Sequence, residues 1–395
     1  MGTQSFTEKT QRDAEKTSVN PFWFWLVQVR IWNLDSMTMN SILAIDVGAG
    51  TQDILLWEAG QPMENNIKLV LPSWTTVLAQ QVKQATQDGR PIFLTGNLMG
   101  GGPVVGAMKR HLKAGFLVYT TPRAALTVRD NLDQVRERGY TIVDEPPDVV
   151  DLLTLRARDV DLGALASALT PFGVTVPGVV AVAVQDHGEC LEGSNRKFRF
   201  QLWREFVEDG GRMLDLVYRQ PPSHYTRMLA VQRDAPGAVL MDTGPAALWG
   251  ILEDEWAAAR QDEGLILVNV GNQHTLGVLL RGERILGLFE HHTVLMTPDK
   301  LTGLVERLRD GTLTNGEVYD DHGHGAFISP DYVPPTEVAG TGFGFVALTG
   351  PQRRLAADLG YHFAAPHGDM MLTGCFGLVT ATRRMVNSEW HTPVL

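Results

Sequence analysis

The sequence predicts an α/β fold in which one unit is used twice, with a ligand cleft between the two halves. Three observations carry this. Ser41–Asp46 is a short apolar run that passes through a Gly-rich turn, Val47–Thr51, straight into a second strand-like run, Asp53–Trp57. The same order returns at Leu265–Val270, Gly271–Thr275 and Leu276–Leu280. Each copy then continues through a third strand and a helix to a fourth strand that ends in Thr-Gly, at Thr95-Gly96 and at Thr349-Gly350.

The elements follow from local pattern. Glu58–Gln61 turns into a third strand, Ile67–Leu71, and Trp74–Gln87 has helical periodicity. Pro91–Leu94 is a strand. Gly100–Gly102 then loosen the backbone ahead of a helix over Val104–Lys113, with Pro103 in its first turn. Phe116–Thr120 and Val179–Val184 read as buried strands, the second ending at Gln185-Asp186-His187-Gly188, and Ala246–Arg260 as one helix. In the second copy, Arg284–Phe289 is the third strand, Thr297–Arg309 a helix opened by Pro298, and Phe345–Leu348 the fourth strand. Residues 1–38 are expected to be a non-native or disordered extension, with Met37 or Met39 as the start. Pro21–Trp32 is too short and too polar to span a bilayer. The folded part divides into a first domain over 39–260 and a second over 261–395.

Charge and cysteine content narrow the function. The 34 Lys and Arg against 45 Asp and Glu leave a net charge of −11, which disfavours binding to a phosphate backbone or an anionic membrane surface. Two cysteines, Cys190 and Cys375, make no disulfide scaffold and point to a reducing, cytoplasmic setting. Two thiols also fall short of the three that hold a radical enzyme's iron–sulfur cluster.

The chemistry concentrates in the glycine turns. In Asp46-Val-Gly-Ala-Gly-Thr-Gln-Asp53, Gly48 and Gly50 let backbone amides gather around an anion. Asp46 stands where it can hold Mg²⁺, Thr51 adds a hydroxyl and Gln52 an amide. Asn269-Val-Gly-Asn-Gln-His-Thr275 lies at the corresponding place in the second copy. Two such hairpins facing each other could clamp a triphosphate.

With these motifs in hand, residues 41–385 resemble the actin-like ATPase superfamily of sugar kinases, chaperone ATPases and exopolyphosphatases. The resemblance implies two ribonuclease H-like domains around ATP and Mg²⁺. It puts Asp46, Gly48, Gly50 and Thr51 in the first phosphate motif, and Asn269, Gly271, Asn272 and Thr275 in the second. Gly340, Gly342 and Gly344, with Gly350, resemble the region that contacts adenosine. The Thr95–Pro103 segment and both turns are similar to an uncharacterised branch often labelled pyruvate formate-lyase activating enzyme. That label implies a radical cluster, for which this chain lacks the cysteines. Asn269 departs from the superfamily, which places Asp there. Asp186, after Val179–Val184, is the candidate to polarise a water or a substrate hydroxyl, and His274 a candidate acid–base group beside the phosphates.

The histidines offer a rival constellation. Glu290-His291-His292 and Asp320-Asp-His-Gly-His324 pair imidazoles with carboxylates, so His291, His292, His322 and His324 form an alternative metal set. Arg196, Lys197 and Arg199 read as solvated surface. The expectation is a nucleotide-binding protein that transfers or hydrolyses a phosphoryl group, with an unknown small-molecule or protein substrate. The rivals are a His-rich metallohydrolase on the same scaffold and a non-catalytic nucleotide sensor. The sequence leaves homodimerisation open.

Overall fold

The structure, a computed structural model, describes residues 39–335 and 342–390. The first half opens with β1 (Ser41–Val47), β2 (Thr51–Glu58) and β3 (Ile67–Pro72), then α1 (Trp74–Asp88). There follow β4 (Ile92–Gly96), α2 (Gly102–Lys113), β5 (Val118–Thr120), α3 (Pro122–Ala125), α4 (Leu132–Glu137), β6 (Thr141–Ile142), β7 (Leu153–Ala157) and α5 (Leu162–Leu169). The chain returns through β8 (Val180–Val184), α6 (Asn195–Glu208), α7 (Thr226–Asp234), β9 (Val239–Met241), α8 (Thr243–Ile251) and α9 (Glu255–Ala258). The second half contains β10 (Leu265–Val270), β11 (His274–Arg281), β12 (Arg284–His292), α10 (Pro298–Arg309) and α11 (Asn315–Asp320). It ends with β13 (Gly325–Ile328), β14 (Val346–Thr349), β15 (His362–Phe363) and α12 (Thr373–Trp390).

Two sheets carry the duplication. The first has the order β3-β2-β1-β8-β9 and the second β13-β12-β11-β10-β14-β15. In both, an antiparallel meander of three strands is extended by a parallel strand beside its first: β1 pairs β8, and β10 pairs β14. This is the ribonuclease H-like arrangement, present twice, that defines the actin-like ATPase fold. Residues of β1 and β10 are almost continuously buried, as strands covered on both faces require.

The Thr-Gly correspondence needs correcting. Thr95-Gly96 ends β4, which belongs to a separate parallel sheet of order β6-β5-β4-β7 inserted into the first half. The strand equivalent to β14 is β8. The two glycines do share a local cause. Gly96 has φ +99° and a Cβ there would lie 2.4 Å from the Ala157 carbonyl, while Gly350 has φ +109° and would meet the Val270 carbonyl at 2.3 Å. Each lets a strand turn tightly over its parallel neighbour, and that need is common to any such strand end.

Helices form where apolar spacing and caps agree. α1 buries Thr75, Leu78, Val82 and Ala85, one stripe at helical period. Thr297 caps α10 by accepting from the Lys300 amide, with Pro298 at the first turn. The single helix expected over Ala246–Arg260 is two. Asp242 caps α8, and Asp254 starts α9 afresh by accepting from the amides of Trp256 and Ala257.

The largest apolar core draws on both halves: Ile42, Ala44 and Leu55 join Leu265, Leu267 and Leu276 through α8 and α12. Although it follows the second sheet in sequence, α12 packs on β1, β2 and β8 as well as on α8. Its crossing with α8 is built on small residues. A Cβ at Gly377 would lie 1.9 Å from the Ala246 carbonyl, and one at Gly250 1.9 Å from that of Thr373. The extension expected over 1–38 lies outside the described residues. Among the described residues no helix is long and apolar enough to cross a membrane.

Candidate functional site

The hairpin turns of the two sheets meet at one cavity of about 580 Å³, lined by both turns, the end of β8 and the start of α12. They are built alike. The Gly48 amide donates to the Thr51 carbonyl at 2.8 Å, and the Gly271 amide to that of His274 at 2.9 Å. A side chain at Gly48 would press on the Thr51 carbonyl at 3.1 Å, and one at Gly271 on that of His274 at 2.8 Å. The equivalence therefore pairs Thr51 with His274, not with Thr275. The Ala49 carbonyl accepts from the Ser73 and Thr76 hydroxyls, and the Gly50 carbonyl from the Ser73 amide and the Thr76 hydroxyl. Since a trans peptide sets N–H opposite C=O, the Gly50 and Thr51 amides point away from α1.

Asp46, Gly48, Thr51, Asn269, Gly271, Asn272, Gly350, Asp186 and His274 all line the cavity. Others turn away from it. Gln52 is buried and its amide donates to the Pro72 carbonyl, while the Thr275 hydroxyl pairs with that of Thr293 in the core. Gly50 has only open space where a side chain would lie. Gly342 packs on Glu263 and Gly264 at the start of β10, the opposite end of that strand from Asn269, and Gly344 follows it there. Gly340 lies outside the described residues.

The first hairpin is the acidic pole. Asp46 is paired with Asp53 across β1 and β2, and one carboxylate oxygen of each is buried with no hydrogen-bond partner. Burial, then the neighbouring Asp53 and Asp242, raises Asp46 well above the usual carboxylate range. Burial lifts Asp53 to about 6 against the opposing bond from Thr51. α12 closes this pocket so tightly that a Cβ at Gly374 would lie 2.0 Å from Asp46 Oδ2. Cys375 is buried beside it, its thiol donating to the Asp53 carbonyl at 3.0 Å.

Asp186 is held by its surroundings. Its oxygens accept from the Gly188, Arg227 and Met228 amides at 2.9 Å, the last two from the first turn of α7. Burial still raises it to about 6 despite those bonds. Arg227 donates to Asp159 and to the Gln185 carbonyl, and its guanidinium faces Gly100.

Arg199 is a second correction: it is 4% exposed, not solvated. It donates twice to Glu290 through Nε and once through Nη2, and through Nη1 to Asp242 at 3.0 Å and to the Asp186 carbonyl at 2.7 Å. A signal for this was present. Arg199, Trp203 and Val207 recur every four residues and are all buried, so Arg199 sits in the apolar stripe of α6. Burial alone would raise Glu290, but the Arg199 charge outweighs it and holds Glu290 well below the usual range.

The histidines converge differently from the expected set. His187, His274 and His324 bring ring nitrogens within 4.8 Å of one another. His292 stacks against them, its ring 5.0 Å from His274 and 4.9 Å from His324. His291 leaves the group, pairing instead with Asp321 at 3.1 Å, and His322 is not in the trio. A bulge decides this. Near the turn Leu280 faces Ile285, but the register shifts between Leu279 and Leu280, so His274 faces His292 and Thr275 faces His291. One residue of slip exchanges the faces of a strand. Without the bulge His291, not His292, would stand beside His274. Burial lowers His187 well below its usual value, His274 to about 4 and His324 to about 3, so all three are neutral near pH 7.

Fold and site together define a duplicated, actin-like fold with two alike hairpin turns around one cleft. The chain belongs to the family described as "Putative pyruvate format-lyase activating enzyme (DUF1786)", matched over residues 99–355. No curated protein matches it. Among solved structures it is similar to an exopolyphosphatase from Cytophaga hutchinsonii, with 10% identity, TM-score 0.24, and coverage of 67% of this chain and 53% of that one. The chain thus spans about half the length of that relative. A Ppx/GppA phosphatase from Aquifex aeolicus is 8% identical with TM-score 0.28, covering 79% and 68%. The activator of 2-hydroxyisocaproyl-CoA dehydratase from Clostridium difficile is 7% identical with TM-score 0.27, covering 90% and 99%.

Proposed function

We propose that the cleft binds a nucleoside triphosphate, ATP foremost, or a related polyphosphate together with Mg²⁺, and that the two halves act on its terminal phosphate. The observation that carries this reading is the half-buried Asp46–Asp53 pair, each with one carboxylate oxygen sealed from solvent and without a partner. Two carboxylates with orphaned oxygens are costly in a low-dielectric pocket. A hard divalent cation with oxygen ligands compensates that cost, so the residues fit Mg²⁺. Asp46 and Asp53 would hold the ion, which when bound would offset phosphate charge.

The chain's own groups supply the remainder. The amides of the Gly48–Thr51 turn and the Thr51 hydroxyl would cradle the phosphates. Asn272 and His274 would close on them from the second turn. Asp186, with its oxygens committed to backbone amides, acts as a positioning residue that anchors α7 and so Arg227. Asn269 favours a second reading, a sensor that binds with little turnover, because the second hairpin brings no carboxylate to orient a water. A radical mechanism does not fit, since Cys375 is packed under Asp53 and only Cys190 remains.

The test is calorimetric titration of metal-stripped protein with ATP, with and without Mg²⁺. Mg²⁺-dependent binding that disappears in Asp46→Ala supports the reading; binding of neither ATP nor inorganic triphosphate overturns it. Phosphate release before and after Asn269→Asp separates enzyme from sensor, because only a sensor gains hydrolysis.

A further inference from the structure

Beside the acidic pole, four imidazoles form a cluster of which the proposed nucleotide site uses only His274. It is assembled from four places in the chain. His187 follows β8 in the first half, His274 opens β11, and His324 precedes β13, its amide donating to the Glu290 carbonyl at 2.8 Å. The bulge in β11–β12 brings His292 onto the same face. Two nitrogens, His187 Nε2 and His324 Nδ1, are buried with no hydrogen-bond partner. Neutral imidazoles packed only as core would seat those atoms against donors or acceptors.

We propose that His187, His274 and His324 form a binding site for a divalent transition-metal ion of the zinc class, distinct from the oxygen site at Asp46. Three nitrogens at the corners of a triangle of side 4.8 Å have a centre about 2.8 Å from each, against ~2.0–2.1 Å for zinc–imidazole bonds. A side-chain shift of under about 1 Å per ligand closes that difference.

The surroundings are those of a supported metal site. The Gln185 amide group contacts His274 Nδ1. The structure sets the Gln185 nitrogen against that atom; turning the amide over, so that its oxygen accepts Nδ1–H, would leave the lone pair on Nε2 for a metal. Glu290 lies 3.8 Å from His324 Nδ1. Glu290 and Asp242 share the guanidinium of Arg199, so these three side chains carry one negative charge in excess, with Arg196 on the rim of the adjoining cavity. Three protein ligands leave open positions, and these face a second cavity of about 430 Å³ lined by His187, His274, His292 and His324, with exposed Val294 at its edge. That cavity shares Asn272, Gln273 and His274 with the first, which puts the ion within one turn of the second phosphate hairpin. A ligand that bridges both cavities would offer a hard oxyanion group to the first and a metal-coordinating group to the second.

Co²⁺ is the probe, because its visible absorption reports nitrogen coordination. Metal-stripped chain, without nucleotide, should take up one Co²⁺ with visible bands that Zn²⁺ abolishes. His187→Ala and His324→Ala should each weaken uptake by about 100-fold or more, while His322→Ala, which carries a histidine outside the trio, leaves it unchanged. Melting in chelator shows that each variant is folded. Absence of bands in the folded protein, or equal Co²⁺ binding when all three are alanine, overturns the inference. The outcome is independent of nucleotide: cobalt uptake without ATP binding would sustain this site and remove the proposed function.

Discussion

The two hairpins have the same backbone and opposite chemistry. Asp46 and Asp53 face each other across β1 and β2, whereas the same positions in β10 and β11 hold Asn269 and Leu276. Thr51 closes the first turn and His274 the second. A duplicated scaffold has thus been given one pole of hard oxygens and one of neutral nitrogens. Such poles prefer different cations, oxygen-rich sites taking Mg²⁺ and imidazole sites zinc-like ions. The difference teaches that topology fixes where the cleft lies, while a few side chains at the strand ends decide its chemistry.

The largest way to break the comparison is to cut the link between the poles. Arg199→Leu leaves Glu290 and Asp242 buried beside each other with no cation, and should cost about 3–5 kcal/mol in denaturant unfolding. A change below 1 kcal/mol would mean that the network is not paired as described. Next is Asp46→Ala, expected to weaken Mg²⁺-dependent ATP binding by about 100-fold (~2.7 kcal/mol) while leaving Co²⁺ uptake at the histidines intact. Loss of both in a folded variant would merge the two poles into one site. Gly377→Ala should cost about 1–3 kcal/mol by forcing α12 off α8, with a matching fall in Tm, and its effect on the two poles should be equal.

The smallest effect is on pH dependence. Asp53 is raised in the fold to about 6, so its ionised form is the disfavoured one. Its neutral form keeps full stability below the unfolded value near 3.8, and stability is lost as pH rises through about 6. Asp53→Asn should therefore match wild type near pH 4 and melt a few degrees higher at pH 7. Mg²⁺ should narrow that gap by stabilising only wild type. Melting curves at the two pH values, with and without MgCl₂, check both statements. A variant less stable at pH 7 would place the carboxylate in a favourable pairing instead.

Much of this was legible in the chain because it is written locally. β1, β10 and β8 are short apolar runs ending in chemistry-bearing turns, and the first hairpin turn is a Gly-x-Gly in which a side chain at Gly48 would press on the Thr51 carbonyl. What failed depended on partners far away in sequence. Thr95-Gly96 and Thr349-Gly350 look alike because both obey a local rule, yet their strands belong to different sheets. Arg199 looked solvated beside Arg196 and Lys197, and only the four-residue spacing to Trp203 and Val207 hinted otherwise. The histidine set turned on one bulge, which no spacing rule gives. Gln52 and Thr275 sit beside the two hairpin turns in sequence, but strand alternation carries them into the core.

The closure of Asp46 by α12 also bears on how the protein is made. The Cys375 thiol reaches the Ala44 carbonyl across 331 residues of chain. During synthesis β1 leaves the ribosome long before the helix that covers it, so the first sheet must wait with an apolar face bare and its two carboxylates still in water. Contacts so distant in sequence make the closing step slow, and the waiting chain offers a surface for chaperones or for aggregation. The acidic pole can accordingly be closed only after the last helix has been made.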